Sequence, residues 1–448
     1  MTDSDPDAEP SGVAEPDPDP DSDPDPDPDP QAGGDDGAEA LARRVREGEL
    51  RLYELEEHAD AATAATARRR LLAAETGTDL DAIGGYGFTA EAADPNVENL
   101  IGAAQVPMGV AGPVPVDGGA AEGEQYLPLA TTEGALVASV NRGCTAIRRS
   151  GGATARVLTN AMTRAPAFRV AGVDEAATVA SWVREHVDAL REAAESTTSH
   201  GRLRGVTPYV VGDTVFLRFG YDTKDAMGMN MATIATQEAC EVVERETPAE
   251  LVALSGNLCT DKKPAAINAV EGRGRTVSAD VTLPSSVVAD VLKTTPDAIA
   301  EANTRKNLIG SAKAGSLGFN AQAANVVAAA FLATGQDAAQ VVEGANAITS
   351  VEVRDGGGDE DGGSEAPELY ASVTLASLEV GTVGGGTRLP TQAEALDVLG
   401  VRGGGDPPGS NADALAEVIA TGALAGELSL LGALASSNLA SAHEELGR

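Results

Sequence analysis

ARVLTNAMTRAPAFRVAG, residues 155–172, reads as strand, turn and strand, with Ala165-Pro166 breaking two alternating runs. DEAATVASWVREHVDALREAAES (174–196) then places its apolar side chains at helical spacing. TPYVVGDTVFLRFGYDT (207–223) is a hairpin about Gly212-Asp213. KDAMGMNMATIATQEACEVVE (224–244) opens on a glycine-methionine turn and continues as a helix. Strand, helix, hairpin and helix in that order predict a small α+β domain of the split-βαβ kind. Gly228 stands alone among methionines, so the segment is not GxGxxG, and the chain has no GxxxxGK[ST]. Any dinucleotide site is therefore of another design. Asp225 to Asn230 is a place where a diphosphate could meet backbone N–H groups at a helix start, and the residues alone say no more.

Just beyond this domain lies SGNLCTDKKPAAIN (255–268), where Lys262 and Lys263 follow Asp261. Lysine is scarce in the chain: Lys224, Lys262, Lys263, Lys293, Lys306 and Lys313 are all there are. Two side by side are either point charges for an anion or a carbonyl, or an ordinary solvated pair. Composition leaves both open.

The chain has 448 residues, 69 of them acidic against 32 basic, for a formal net charge of −37. Such a field repels nucleic acid and anionic lipid, so neither is an expected partner. The first 38 residues hold 14 of the acidic side chains and no Lys or Arg, which still leaves −37 + 14 = −23 for the rest. An acidic surface poor in lysine suits concentrated intracellular salt, where screening weakens self-repulsion. Cys144, Cys240 and Cys259 are widely spaced, without CxxC, which fits a reducing compartment and neither a disulfide framework nor a zinc site. No stretch is expected to reach the ~18 apolar residues of a membrane span. A soluble, cytoplasmic protein without a metal is the expectation.

Residues 1–38, built on DPDPDP, are expected to be a disordered acidic tail. From Ala38 to about Glu75 apolar residues recur at helical spacing, and Tyr53 there reads as core. Residues 98–118 are Gly-, Pro- and Val-rich, hence turns and close backbone approach. Thr131 or Thr132 caps a helix expected to begin at Glu133. SLGFNAQAANVVAAAFLATGQDAAQVVEGAN (316–346) reads as one long, small-residue helix and as the most buried segment. Its carboxylate Asp337 needs a partner, for which a lysine of 255–268 is the candidate. Ala347–Val353 and Leu369–Leu378 read as a strand pair joined by the surface insertion 355–368. The last segment is a helix, and His443 near its end is inert surface unless something directs it to a site.

Taken together, ENLIG, PMGVAGP, TTEGALVASVNRGC, MTRAP, DAMGMNM, SGNLCTDKKPAAIN with EGRGR, KNLIGSAKAGSLGFNAQAAN, GQDAAQ and the terminal His443 resemble, in order, the biosynthetic (class I) 3-hydroxy-3-methylglutaryl-coenzyme A (HMG-CoA) reductases. The likeness covers about residues 45–448. It implies an α+β fold: a large α/β domain around a long central helix, an inserted small ferredoxin-like, non-Rossmann NADP-binding domain, and a small helical N-terminal domain. The corresponding divisions are the tail 1–38, the helical domain 39–97, the large domain in parts 98–166 and 255–448, and the NADP-binding domain 167–254. The substrate segment begins the last part.

The resemblance further implies reduction of HMG-CoA to mevalonate and coenzyme A by NADPH. Lys262 is then the cation beside the thioester oxygen and Glu133 the proton donor to the aldehyde. Asp337 tunes that pair, and His443 protonates the departing thiolate. Hydride addition builds an oxyanion, which a fixed ammonium stabilises. A thiolate leaves more readily with an acid matched to neutral pH. A glutamate donates where burial beside another carboxylate favours its neutral form, and the resemblance puts Asp337 beside Glu133. Arg164, Ser255, Asp261, Lys263, Lys306 and Asn325 match contacts to the substrate, and Tyr53 the aromatic beside the coenzyme A adenine. Asp225, Met227, Gly228, Met229 and Asn230 match the cofactor turn. Ser199 stands where animal members have an arginine near the extra phosphate, and Arg202 is the candidate substitute. Membrane spans and a phosphorylatable serine after the histidine, found in animal members, have no counterpart here. Homodimers or homotetramers with sites at subunit interfaces are implied. The alternatives are NAD-linked mevalonate oxidation and a non-catalytic coenzyme A binding protein.

Overall fold

The computed structural model describes residues 34–356 and 366–436. They fall into two units, Met1–Gly84 with Asn99–Gly102, and Gly85–Glu98 with Ala103–Arg448.

In the first unit, helices Gly34–Arg46 and Ala61–Thr76 flank a single turn, Leu52–Glu57. The helical part thus starts inside the stretch read as tail. Asp60 caps the second helix by accepting the Thr63 N–H at 2.7 Å, and Gly77, at φ 67°, ends it. Ala38, Leu41, Leu55, Ala64, Ala67 and Leu71 form the core. Arg68 is buried against it, where Glu56 grips its guanidinium by both oxygens (2.6 and 2.5 Å).

The second unit is built on a sheet of ten strands: β1 Met108–Asp117, β2 Glu122–Ala130, β3 Ala153–Arg164, β4 Ala167–Arg169, β5 Arg202–Val211, β6 Thr214–Asp222, β7 Glu250–Ala253, β8 Gly274–Pro284, β9 Ala347–Arg354 and β10 Glu368–Leu378. β3 organises it. Its residues 154–161 pair with β8, and its last three, Met162–Arg164, pair with β6. One half of the sheet is ordered β2-β1-β3-β8-β10-β9 and the other β5-β6-β4-β7. Pairing is antiparallel apart from the short β1–β3 contact. The large part is therefore α+β with an antiparallel sheet, which corrects the α/β expectation.

The smaller half follows the chain order strand, helix, strand, strand, helix, strand. Gly212, at φ 61°, makes the two-residue turn between β5 and β6. Residues 174–196 form two helices, Val173–Glu185 and Val187–Glu195, divided at His186. With helix Met229–Glu246 they enclose Phe168, Val183, Leu190, Leu217, Phe219 and Cys240.

In the larger half the long central helix is Ser410–Ala435. The alanine-rich 316–346 segment is helical only over Ala323–Thr334. It stops at Gly335, at φ 71°, where a Cβ would come within 2.4 Å of the Gly386 carbonyl. Ser410–Ala435 is also apolar and long enough to cross a membrane, which the sequence reading did not anticipate. Of its most apolar stretch, 83% is buried inside the protein, packed with helices Leu136–Arg149 and Ala323–Thr334 on the sheet. Two buried carboxylates on this helix fix the frame. Glu417 accepts the N–H groups of Gly119, Ala120 and Ala121 at 2.8–2.9 Å. Glu427 accepts those of Ala321 (2.7 Å) and Gln322 (2.6 Å) and the Thr349 hydroxyl (2.8 Å). Burial pushes the Glu427 carboxyl above its usual range, against these hydrogen bonds.

Candidate active site

The lysine stretch is a loop with three non-glycine residues in the left-handed region: Asn257 (φ 63°), Thr260 (φ 49°) and Lys262 (φ 58°). Such residues cost on the order of 1–3 kcal/mol each, so the surroundings must hold them. The Asp261 carboxylate is gripped by the Arg273 guanidinium at 2.8 Å and the Gln340 amide at 3.1 Å. From below, buried Asn268 donates to the Cys259 carbonyl at 3.3 Å. Lys263 turns its ammonium back to the Asp261 carbonyl at 3.0 Å. This loop is fixed from underneath, with its lysines on top.

Lys262 meets Asp337 at 2.7 Å. Its side chain is 44% exposed and that of Asp337 30%, so Asp337 is not the buried charge the sequence implied. The Asp337 hydrogen bond holds the Lys262 ammonium above the usual lysine range, outweighing its partial desolvation. The other Asp337 oxygen caps the turn Ala338–Gln340 through the Ala339 N–H (3.1 Å).

Glu133 does not begin a helix. Its N–H goes to the Thr131 hydroxyl (3.0 Å), Ala135 takes a left-handed φ of 68°, and the helix starts at Leu136. Glu133 is exposed rather than buried beside Asp337, and Asn325 donates to it at 3.3 Å. Lys306 stands exposed on the π-helical stretch Asn303–Gly310. Ser255 is exposed, with Cys259 Sγ 3.9 Å from its hydroxyl. Arg164, at the end of β3, donates twice to the Thr233 hydroxyl (3.1 and 2.7 Å), which ties it to helix Met229–Glu246.

That helix opens at Gly228, at φ 84°, where a Cβ would meet Thr223 Cγ2 at 2.2 Å. No side chain caps it, so its first N–H groups remain available to an anion. Met227 and Met229 are partly buried against the small core, and Asn230 is exposed. Asp225 is different. Buried, it accepts the N–H groups of Gly405 (3.0 Å), Gly409 (2.7 Å) and Ala412 (3.1 Å), so its carboxylate faces the protein. Arg202 is exposed and leans toward Glu195 at 3.4 Å. In the first unit, Tyr53 is 59% exposed rather than core, with Arg51 donating to its hydroxyl at 2.7 Å. His443 lies outside the described residues.

Asp261, Lys262, Lys263 and Asp337 are thus brought together, as are Glu133 and Asn325, while Arg164 joins the helix that carries Met229. Arg273, Asn268, Gln340, Glu343 and Glu379, beneath the lysine loop, were not singled out from sequence. A cavity of about 510 Å³ adjoins the loop at Pro264, lined also by Ser311, Ser316, Asn320 and Asn346. Another of about 720 Å³, bordered by Arg156, Asp413 and Glu417, shares no residue with the site. Among the described residues no three His, Cys, Asp or Glu side chains form a metal-holding group.

Residues 64–448 match the sequence profile of the family described as hydroxymethylglutaryl-coenzyme A reductase. The chain belongs to that family. It is 70% identical over 411 residues to the HMG-CoA reductase of Haloferax volcanii, covering 92% of this chain and 99% of the relative. To that of Halobacterium salinarum it is 72% identical over 414 residues, covering 92% and 100%. The salt-adapted composition fits these haloarchaeal relatives. Among solved structures, a class II reductase from Streptococcus pneumoniae bound to NADPH aligns with a TM-score of 0.60 at 20% identity, covering 86% of this chain and all of that one. At that distance an HMG-CoA reductase fold is what the two share.

Proposed function

We propose that this chain reduces HMG-CoA to mevalonate and coenzyme A with NADPH, at a site assembled around Lys262 and Asp337. The observation that carries this reading is the 2.7 Å pair itself: a lysine held cationic by one carboxylate, on a fixed loop, with much of its surface open. NADPH supplies the hydride for each of the two reductions. As the thioester carbonyl accepts hydride, the Lys262 ammonium neutralises the oxyanion. His443 is the proposed acid for the coenzyme A thiolate, which departs as the aldehyde forms. Glu133, oriented by Asn325, gives the aldehyde oxygen its proton in the second reduction, with Lys262 again beside that oxygen. Arg164, Ser255, Asp261, Lys263 and Lys306 are the proposed holders of the hydroxymethylglutaryl group. Its free carboxylate suits clustered cations.

The smaller half, β5-β6-β4-β7 with its helices, is in this reading a ferredoxin-like cofactor domain. The uncapped start of helix Met229–Glu246 fits a diphosphate, and close packing at Gly228 keeps the turn free of a side chain. Met227, Met229 and Asn230 line that turn. Asp225 serves it from behind, by anchoring the 405–412 backbone. Arg202 is the proposed reader of the extra phosphate, and Tyr53 is the proposed face for the adenine of coenzyme A. Glu133 and Lys262 are more open than a water-poor reaction favours, which supports closure by a second copy of the chain in a homodimer or homotetramer. The buried free thiols of Cys144, Cys240 and Cys259 suit the cytoplasm.

Initial rates with NADPH and NADH in molar salt test the reading. A strong NADPH preference with the thioester is expected. An NADH preference favours the oxidative direction, and ligand binding without NADPH consumption favours a binding protein.

A further inference from the structure

Arg273 has no part in the roles assigned above, yet it touches the lysine loop, the turn beside Asp337 and the helix of Met229. It is fully buried at the start of β8. One terminal nitrogen donates to the Asp261 carboxylate at 2.8 Å and lies 2.9 Å from the Met229 sulfur. The other donates to Glu343 at 2.7 Å, Gln340 at 3.0 Å and Glu379 at 3.2 Å. Asp261 immediately precedes Lys262. Gln340 closes the turn that Asp337 opens, and its amide also reaches Asp261 at 3.1 Å. Met229 is the first residue of the helix proposed to receive the cofactor. A single guanidinium therefore spans the loop of Lys262, the turn of Asp337 and the head of that helix.

The charges agree with the geometry. Burial alone would weaken the guanidinium's hold on its proton, but Glu379, Glu343 and Asp261 outweigh it and raise the pKa further. Glu379, wholly buried and beside Glu343, is pushed well above the carboxylate range. The guanidinium thus lies between the Glu343 and Glu379 carboxyl groups on one side and that of Asp261 on the other. A lysine could not replace this fork, since one ammonium cannot lie in plane with partners on separate elements.

We propose that Arg273 is a positioning residue that fixes Lys262 against Asp337 and seats Met229 on the same frame. The proposal rests on the reading of Lys262 and Asp337 as the catalytic pair.

The test compares wild type, Lys262→Ala, Arg273→Lys and the double variant Arg273→Met/Glu343→Gln, which leaves no unpaired carboxylate at Glu343. Thermal melts are recorded in molar salt, and kcat and KM with the thioester and with mevaldehyde. A misplaced catalytic group costs about 100-fold, so folded Arg273→Lys should lose about that in kcat on both substrates. The thioester KM, which Asp261 couples to Arg273, should rise by less than kcat falls, and the double variant's kcat should fall lower still. A folded Arg273 variant with wild-type kcat overturns the proposal, as does a loss that only tracks the unfolded fraction or appears in KM alone. If neither variant folds, Gln340→Met replaces them: roughly a tenfold loss of kcat is expected, equivalent to about 1.4 kcal/mol, and an unchanged kcat overturns it. Lys262→Ala separates the two readings. An active Lys262→Ala enzyme removes the catalytic pair itself, whereas an inactive one beside active Arg273 variants removes only this proposal.

Discussion

On helix Ser410–Ala435, Glu417 and Glu427 are buried and spend their oxygens on backbone N–H groups of distant segments. On the loop 255–268, Lys262 has one carboxylate partner and nearly half its surface free. Both regions place charge where it costs energy, but they use it differently. In the helix each carboxyl oxygen replaces water at orphaned donors, and the result is architecture. At the loop the cost is carried by backbone strain and by the buried Arg273 beneath, and the exposed ammonium is kept for something outside the chain. Charge that is fully satisfied within the fold holds the protein together. Charge that is held in place but only partly satisfied is available for chemistry.

Substitutions in each region should fail in different ways. The largest effect is expected from Lys262→Ala: a loss of at least about 10³-fold in kcat for thioester and mevaldehyde alike, as for removal of an oxyanion donor. Its melting temperature and coenzyme A affinity should stay near wild type. Appreciable thioester turnover would put Lys262 among the merely structural charges. Glu427→Ala should reverse that pattern, costing about 3 kcal/mol in denaturant titrations in molar salt by orphaning the Ala321 and Gln322 N–H groups. A stability change below about 0.5 kcal/mol, within the range of ordinary surface substitutions, would erase the contrast.

Asp337→Asn should act on the loop more mildly, with roughly a 30-fold loss of kcat at neutral pH from the weaker hold on Lys262. Its pH profile carries the sharper information. Asp337 raises the Lys262 pKa, so the wild-type ammonium persists to higher pH than an ordinary lysine. Without that carboxylate the pKa falls and the alkaline limb of kcat should move to lower pH. An unmoved limb would detach Asp337 from Lys262. Most selective is His443→Gln, with about a 100-fold loss on the thioester, the low end for general acid catalysis, and little on mevaldehyde. Equal losses on both substrates would deny it the thiolate.

The small half was legible because its signals are local: alternation in β3, the Gly212-Asp213 turn and the amphipathic spacing of 174–196 each act within a few residues. Residues 316–346 read as one long helix because alanine-rich segments look alike in sequence. What ends the 316–346 segment is Gly335 packed against Gly386, a contact between positions far apart in the chain. The segment from Leu424 onward read as an ordinary terminal helix; the helix begins at Ser410, and its burial on all sides comes from the sheet and two other helices. Lys262 and Asp337 stood out through the rarity of lysine and the motif likeness, although their half-exposed setting did not. Arg273 sat in view within EGRGR. Its signal, an arginine between two glycines at a strand start, gains meaning only when Asp261, Gln340, Glu343 and Glu379 converge on it. Asp225 shows the opposite case, a motif residue whose carboxylate is turned to the 405–412 backbone.

The most direct measurement is the stoichiometry of NADPH oxidation by the wild-type chain with limiting HMG-CoA in molar salt. Two molecules of NADPH consumed per thioester, with free coenzyme A and mevalonate as products, is the predicted result. No thioester-dependent oxidation, or consumption of a single NADPH with the aldehyde as end product, would contradict a site in which Lys262 serves both reductions.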